Sequence, residues 1–112
     1  MQRILKALLN SISGFKFAFK DEEAFRQELF LAVILCPAAY FLAPSKTDLA
    51  IMLMCVFIVL IAELLNSGIE AAIDRIGPEI HPLSKKAKDI GSAAVLLSLF
   101  NLVVVWGIII LK

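Results

Sequence analysis

The chain has 112 residues, 61% of them hydrophobic, and a mean hydropathy of +0.91. Water-soluble domains are about 45–50% apolar, so too little polar surface remains here to cover a soluble globule. The net charge of +1 gives no basic surface of the kind that binds nucleic acid, and no nucleic-acid partner is expected. Cys36 and Cys55 lie inside apolar runs and are predicted to pack as small hydrophobic residues.

Residues 1–20 are predicted to form an amphipathic helix that lies in the membrane interface. On a helical wheel, Arg3, Lys6 and Asn10 fall on one side, whereas Leu8 and Phe15 fall on the opposite side. A basic polar face opposite an apolar face is typical of interfacial helices. An amphipathic helix packed on protein is the alternative.

Three apolar segments are predicted to cross the bilayer. The first, 24–43, contains Pro37 and reaches the required length of about 20 residues only if its charged first turns lie in the interface. The second, 49–74, is predicted to begin with Thr47 or Asp48 as the helix cap. The third, 90–111, completes an all-α membrane fold with an interfacial helix and three spans.

Two further features mark the third segment and its surroundings. It opens with small residues at 91–94, which favour close contact between helices. It ends with Trp106 and Lys112, both expected near the far interface. The polar segment 79–89, before it, is expected to lie outside the spans.

Basic residues are distributed unequally between the two sides of the membrane. Three spans place the N-terminus and the second connection on the same side. Nine of the basic residues lie there: Arg3, Lys6, Lys16, Lys20, Arg26, Arg75, Lys85, Lys86 and Lys88. Only Lys46 and Lys112 lie on the other side, so the positive-inside rule predicts that the basic side is cytoplasmic.

Polar residues at helical spacing interrupt the end of the second span. Glu63, Asn66, Glu70 and Asp74, here called the polar stripe, are three, four and four residues apart and therefore share one face. Ionised groups beside hydrocarbon cost several kcal/mol, so the stripe is expected to face protein, water, a metal or a ligand. Oxygen ligands alone suit magnesium. Structural salt bridges to nearby basic residues are the alternative.

The depth of the stripe suggests two kinds of ligand. At 1.5 Å per residue, Glu63 lies about 21 Å from Leu49 along the helix, close to the interface, and Glu70 lies about 10 Å further. One end can meet a lipid headgroup and the other a soluble ligand. No glycine-rich phosphate loop is present, so the residues by themselves do not indicate ATP.

Three segments resemble the bacterial integral-membrane diacylglycerol kinases. They are EEAFRQE (22–28), ELLNSGIEAAIDR (63–75) and AKDIGSAAV (87–95). The resemblance covers nearly the whole chain, and the Glu-x-x-Asn-x-x-x-Glu-x-x-x-Asp spacing is specific. It implies ATP-dependent phosphorylation of diacylglycerol at the cytoplasmic face of a bacterial inner membrane, by a homotrimer with active sites shared between subunits.

The resemblance also implies roles for individual residues. Glu63 would be the general base, oriented by Asn66, and Glu22 and Glu70 would hold magnesium with ATP. The implied nucleotide contacts are Arg3, Asn10, Glu22, Glu70, Glu79, His81, Lys88 and Asp89. The implied lipid contacts are Glu28, Glu63, Asn66, Ser92 and Trp106. The family has an aromatic residue at the position of Asn10. The residue implied to contact adenine therefore departs from the family pattern here.

Three other functions were considered from the sequence. Undecaprenol kinases share the polar stripe, but the segments Phe25–Glu28 and Gly91–Val95 favour the diacylglycerol branch. A small proton-coupled transporter usually has four spans and one isolated acid near the midplane. A structural membrane subunit would leave the polar stripe unexplained.

Overall fold

A computed structural model describes residues 1–79 and 81–111 of the chain. They form four helices: α1 (Gln2–Asp21), α2 (Glu23–Leu42), α3 (Lys46–Ile76) and α4 (Pro82–Leu111). Ile80, within the segment expected at the nucleotide, and Lys112, expected at the far interface, lie outside the described residues.

Helices α2, α3 and α4 are long and apolar enough to cross a membrane. Their large apolar side chains remain exposed, among them Phe41, Leu65 and Leu97. Such a surface is stable in a bilayer, where lipid tails replace water. The chain is therefore an all-α, multi-pass membrane protein with three candidate spans, as the sequence predicted.

Helix α3 begins at a cap that the sequence analysis assigned wrongly. Ser45, not Thr47 or Asp48, is the cap: it has extended backbone angles, and its Oγ accepts the Asp48 amide at 3.1 Å. The hydroxyl also donates to Asp48 Oδ2 at 2.8 Å. Asp48 therefore stabilises the first turn from inside the helix, where a carboxylate also complements the helix dipole.

Helix α4 begins eight residues before the predicted third span. Pro82 starts the helix, where its missing N–H and fixed φ are tolerated. The Leu83 amide donates to His81 Nδ1 at 3.0 Å, so His81 satisfies one of the free N–H groups at this helix end. Residues 82–89 of the polar segment are therefore helical, and their charges lie on the first turns of α4.

Helix α3 lies in the middle of the fold and packs against α2 on one side and α4 on the other. The core between them contains Ala39, Met52, Cys55 and Trp106. Trp106 was expected near the far interface but is buried here, with Nε1 donating to the Met52 carbonyl at 3.1 Å. A helical carbonyl has a second lone pair, which allows this extra hydrogen bond.

Helix α1 is held much more lightly than the three spans. Ala18 is its one buried residue. A single residue, Glu22, with extended backbone angles, separates α1 from α2. The apolar residues of α1, among them Leu8 and Phe15, are exposed in the single chain.

Candidate active site

The polar stripe on α3 changes from buried to exposed along its length. Glu63 is 4% exposed and Asn66 is 8% exposed, whereas Glu70 is half-buried and Asp74 is exposed. From Glu63 to Asp74 the helix rises about 16 Å. The stripe therefore connects the apolar part of the bundle to its polar end, as the sequence predicted from spacing alone.

Glu63 lies beside a second carboxyl group. Glu28 of α2 is its neighbour, and Ser67 Oγ, one turn along α3, donates to Glu63 Oε2 at 3.4 Å. Among the described residues, neither carboxyl group pairs with a lysine or arginine. Glu28 Oε2 is buried, and no described residue hydrogen-bonds it. An unsatisfied buried oxygen is rare in native proteins and marks a place where a polar group can bind.

Asn66 is held by contact with α4. Its Oδ1 is buried and has no hydrogen-bond partner among the described residues. The Asn66 amide lies directly over Gly91, so that a Cβ atom at position 91 would collide with Oδ1. Gly91 therefore leaves the space that the Asn66 side chain occupies, one turn from Glu63.

Glu22 and Glu70 form the second acidic group of the site. Glu22 lies at the junction of α1 and α2, and it is close enough to Glu70 on α3 for their charges to interact. Within residues 1–79 and 81–111, no three His, Cys, Asp or Glu side chains are arranged to hold a metal ion. Magnesium usually takes only one or two carboxylates, and phosphates and water complete its shell, so this pair of oxygen ligands fits it.

Four of the expected nucleotide contacts line one cleft, here called the polar cleft. It has a volume of about 360 Å³ and lies between the end of α3 and the start of α4. Glu79, His81, Lys88 and Asp89 line it, together with Asp74.

Two ion pairs hold the charged side chains of the polar cleft. Lys88 Nζ lies 2.7 Å from Asp74 Oδ1, and Lys85 Nζ lies 2.6 Å from Asp89 Oδ2. Both pairs are largely exposed and therefore weak. An incoming anion could displace either carboxylate at little cost.

A second cleft, of about 620 Å³, lies between α1 and α3 and is here called the interfacial cleft. Its walls are mostly apolar or small, including Phe15, Phe17 and Leu64. Glu22 and Ser67 also line it, so it meets the site both at Glu22 and beside Glu63. Its volume is in the range of small-molecule pockets.

Several expected site residues are not brought together in the single chain. Arg3 and Asn10 are exposed on α1 and line neither cleft. Ser92 is exposed on α4. Trp106 packs in the core against Met52. Met52 precedes Glu63 by eleven residues, which is about 16 Å along α3, so Trp106 lies far from Glu63.

Two residues shape the site through contacts that were not predicted from the sequence. Arg26 Nη1 donates to the carbonyls of Phe19 and Lys20, at 2.8 and 3.0 Å, and so ties α2 to the end of α1. Gly91 was expected to face a neighbouring helix in general, but its contact is with Asn66 in particular. Arg26 lies one helical turn after the break at Glu22. This spacing is the signal in the sequence that could have suggested a cap.

Comparisons with known proteins match nearly the whole chain. Residues 9–110 match the family model of prokaryotic diacylglycerol kinase. A diacylglycerol kinase of Pseudomonas aeruginosa is 48% identical over 99% of this chain and 90% of its own length. Those of Haemophilus influenzae and Escherichia coli are 45% and 42% identical, each over 96% of this chain and 91% and 88% of their own lengths.

These matches decide between the functions considered from the sequence. Neither a transporter nor a structural subunit agrees with a match to this family over residues 9–110, a range that contains the polar stripe. The relatives carry the name of the diacylglycerol branch and not of the undecaprenol branch. The chain belongs to the prokaryotic diacylglycerol kinase family.

Proposed function

We propose that this chain transfers the γ-phosphoryl group of ATP to the free hydroxyl of diacylglycerol, which yields phosphatidic acid and ADP. Membership of the family is the observation that carries the proposal. The geometry supports it, because a buried acid at the apolar end of the polar stripe leads to an exposed polar cleft at the other end.

The lipid hydroxyl belongs next to Glu63. The Glu63 carboxylate accepts the hydroxyl proton as the oxygen attacks the γ-phosphorus, and ADP leaves from the opposite side. Ser67 Oγ donates to the Glu63 carboxylate, and Asn66 is held one turn away by its contact with Gly91. Glu28 offers an unsatisfied oxygen for a second polar group of the lipid. The interfacial cleft offers room for an apolar part of it.

The nucleotide belongs at the exposed end of the stripe. Lys88 exchanges Asp74 for phosphate oxygens, while Glu79, His81 and Asp89 line the polar cleft around the nucleotide. Glu22 and Glu70 would hold magnesium, which would neutralise charge on the phosphates. In this arrangement the chain supplies position and charge and forms no covalent intermediate.

A homotrimer would complete the site. Within one chain, Arg3 and Asn10 do not reach the polar cleft, and Ser92 is exposed on the outer surface of α4. The open layer of three helices cannot surround a lipid headgroup and a nucleotide together. Chemical cross-linking in detergent should therefore give dimers and trimers. Full activity of a protein that remains monomeric by light scattering would contradict the trimer.

The orientation follows from charge. Positive residues of α1, the α1–α2 junction and the start of α4 lie at the end of the bundle that holds the polar cleft. The positive-inside rule supports a cytoplasmic position for that end, where ATP is available, and the prokaryotic family supports a bacterial inner membrane. A cysteine-reactive, membrane-impermeant reagent should label Lys86→Cys in inverted vesicles and not in intact cells, in a protein with its native cysteines replaced.

The direct test is an assay in mixed micelles that offers diacylglycerol and undecaprenol side by side. The Phe25–Glu28 segment and the relatives' names support much faster phosphorylation of diacylglycerol. With radiolabelled ATP, the proposal predicts that labelled phosphatidic acid forms and that it forms only when magnesium is present. Equal or reversed rates for the two lipids would move the chain to the undecaprenol branch.

A further inference from the structure

The junction between α1 and α2 contains an arginine for which the reaction described above has no use. Arg26 lies in the first turn of α2, and its Nη1 donates to two carbonyl oxygens in the last turn of α1, those of Phe19 and Lys20. The last carbonyls of a helix have no partner within it, and a cation there also complements the helix dipole. Arg26 thus acts as a side-chain cap supplied by the next helix.

Few other contacts hold α1 in place. Along α1, only Ala18 is buried. The break itself is one residue long: Glu22 has φ −113° and ψ 109°, its amide donates to the Ala18 carbonyl at 3.0 Å, and its carbonyl accepts from the Arg26 amide at 3.3 Å. The angle between the two helices therefore depends on Glu22 and on the two side-chain hydrogen bonds of Arg26.

The same residue that forms the bend carries a carboxylate of the site. Glu22 lines the interfacial cleft opposite Ser67 and Ala71 of α3, and its charge acts on Glu70 of the same helix. A change in the angle between α1 and α2 would move Glu22, but Glu70 and Glu63 lie on α3 and would remain in place. The bend therefore sets the distance between the two carboxylates.

We propose that Arg26 is a positioning residue that holds α1 against α2 and thereby places Glu22 opposite Glu70 for the magnesium–ATP complex. This inference rests on the proposed function only for the identity of that complex. The hydrogen bonds to Phe19 and Lys20 distinguish a positioning role of Arg26 from a direct contact with phosphate, because they direct the guanidinium toward α1.

The test uses full-length protein with Arg26→Met, which removes the donors and keeps a long apolar stem, and Arg26→Lys, which keeps the charge. Lys16→Met is the matched control, because it removes one exposed positive charge from α1. Two readouts are compared. One is the affinity for magnesium–ATP, with KM and kcat. The other is the distance between spin labels at Leu9→Cys and Val33→Cys, with Cys36 and Cys55 replaced by alanine and labelled chains diluted in unlabelled ones.

Arg26→Met should weaken magnesium–ATP binding roughly tenfold, the size expected for loss of charge-assisted hydrogen bonds. It should change kcat little, and it should displace or broaden the distance distribution between α1 and α2. Arg26→Lys should be intermediate in both readouts, and Lys16→Met should match the wild type. If Arg26→Met does not fold, the affinity and the distance distribution of Arg26→Lys are compared with those of the wild type and of Lys16→Met.

Two results would overturn the proposal. They are an unchanged affinity, whatever the distance distribution, and a weaker affinity with an unchanged distance distribution. The second would make Arg26 a direct nucleotide contact. A wild-type protein that binds magnesium–ATP but leaves diacylglycerol unmodified would refute the proposed substrate. The role of Arg26 would then still be decided by the binding and distance measurements.

Discussion

The pairing of α3 with α4 and the junction of α1 with α2 are built in different ways. Between α3 and α4, contact is close and buried: the Asn66 side chain lies over Gly91, and Trp106 is inserted against Met52. At the α1–α2 junction, directional hydrogen bonds from Arg26 replace burial. The first region holds the proposed base through packing, whereas the second holds a proposed magnesium ligand through a few polar contacts.

This difference predicts how each region responds to change. A change in the shape of a closely packed side chain strongly lowers the stability of the folded protein. Removing an exposed ion pair or hydrogen bond lowers the stability less, and salt screens the interaction between exposed charges. Mutations in the α3–α4 pair should therefore affect chemistry or stability strongly, while those at exposed polar contacts should mainly alter ligand affinity.

The largest effect is expected from Glu63→Gln in the packed region. Glutamine has nearly the same shape but accepts no proton, so kcat should fall by about 10²–10⁴-fold, the usual contribution of a general base. Magnesium–ATP binding and thermal stability should remain close to wild type. Steady-state kinetics with a separate nucleotide-binding measurement would test this.

Glu23→Gln provides the control for that experiment, because Glu23 is an exposed acid on α2 outside both clefts. It should leave kcat within about twofold of wild type, as expected for an exposed position. Lost nucleotide binding in Glu63→Gln, with an intact chemical step, would mean that Glu63 is a ligand and not the base.

An intermediate effect is expected from Gly91→Ala. The added methyl group would collide with the Asn66 side chain, and overpacking of this kind costs about 1–3 kcal/mol. The half-life of activity in detergent at raised temperature should shorten, and kcat should fall because Asn66 is displaced. Gly107→Ala on the same helix meets no atom within 4 Å and is the matched control.

Gly107→Ala should instead stabilise α4 slightly, by about 0.5–1 kcal/mol, because alanine restricts the unfolded chain and favours the helix. Equal behaviour of the two variants would show that the Asn66 contact is not tight. The α3–α4 pair would then resemble the α1–α2 junction, and the comparison between the two regions would fail.

The smallest effect is expected from Asp74→Asn at the polar cleft. The change removes a negative charge near the proposed phosphate site and releases Lys88 from its ion pair. The KM for magnesium–ATP should therefore decrease, by about two- to threefold, the range of weak exposed ion pairs. Raising the salt concentration to about 0.5 M should abolish most of the difference. A KM that increases would show that Asp74 orients Lys88 for the nucleotide.

The sequence predicted those features that depend on helical spacing. Glu63, Asn66, Glu70 and Asp74 share one face because of their spacing alone, and the order of buried and exposed residues follows from their depth. The all-α fold with three spans follows from composition and the lengths of the apolar segments.

Features that depend on contact between distant residues were not predictable in the same way. Trp106 was expected near the far interface, but its burial against α3, where the Met52 carbonyl accepts from its N–H, could not be predicted from the local sequence. Ser45 and Asp48 are both good caps and lie three residues apart, so the local sequence did not decide between them. The role of Arg26 depends on the direction of α1, which no local pattern specifies.

The length of α3 has a consequence for the membrane around the protein. Its 31 residues span about 46 Å, whereas the hydrocarbon core of a typical bilayer is about 30 Å thick. Several turns must therefore stand in the headgroup layer or beyond it. The height of Glu63 is fixed by the protein, but the height of a lipid hydroxyl is fixed by bilayer thickness. Acyl chains that are too short or too long would separate the two vertically, so the match between lipid length and protein becomes part of substrate recognition.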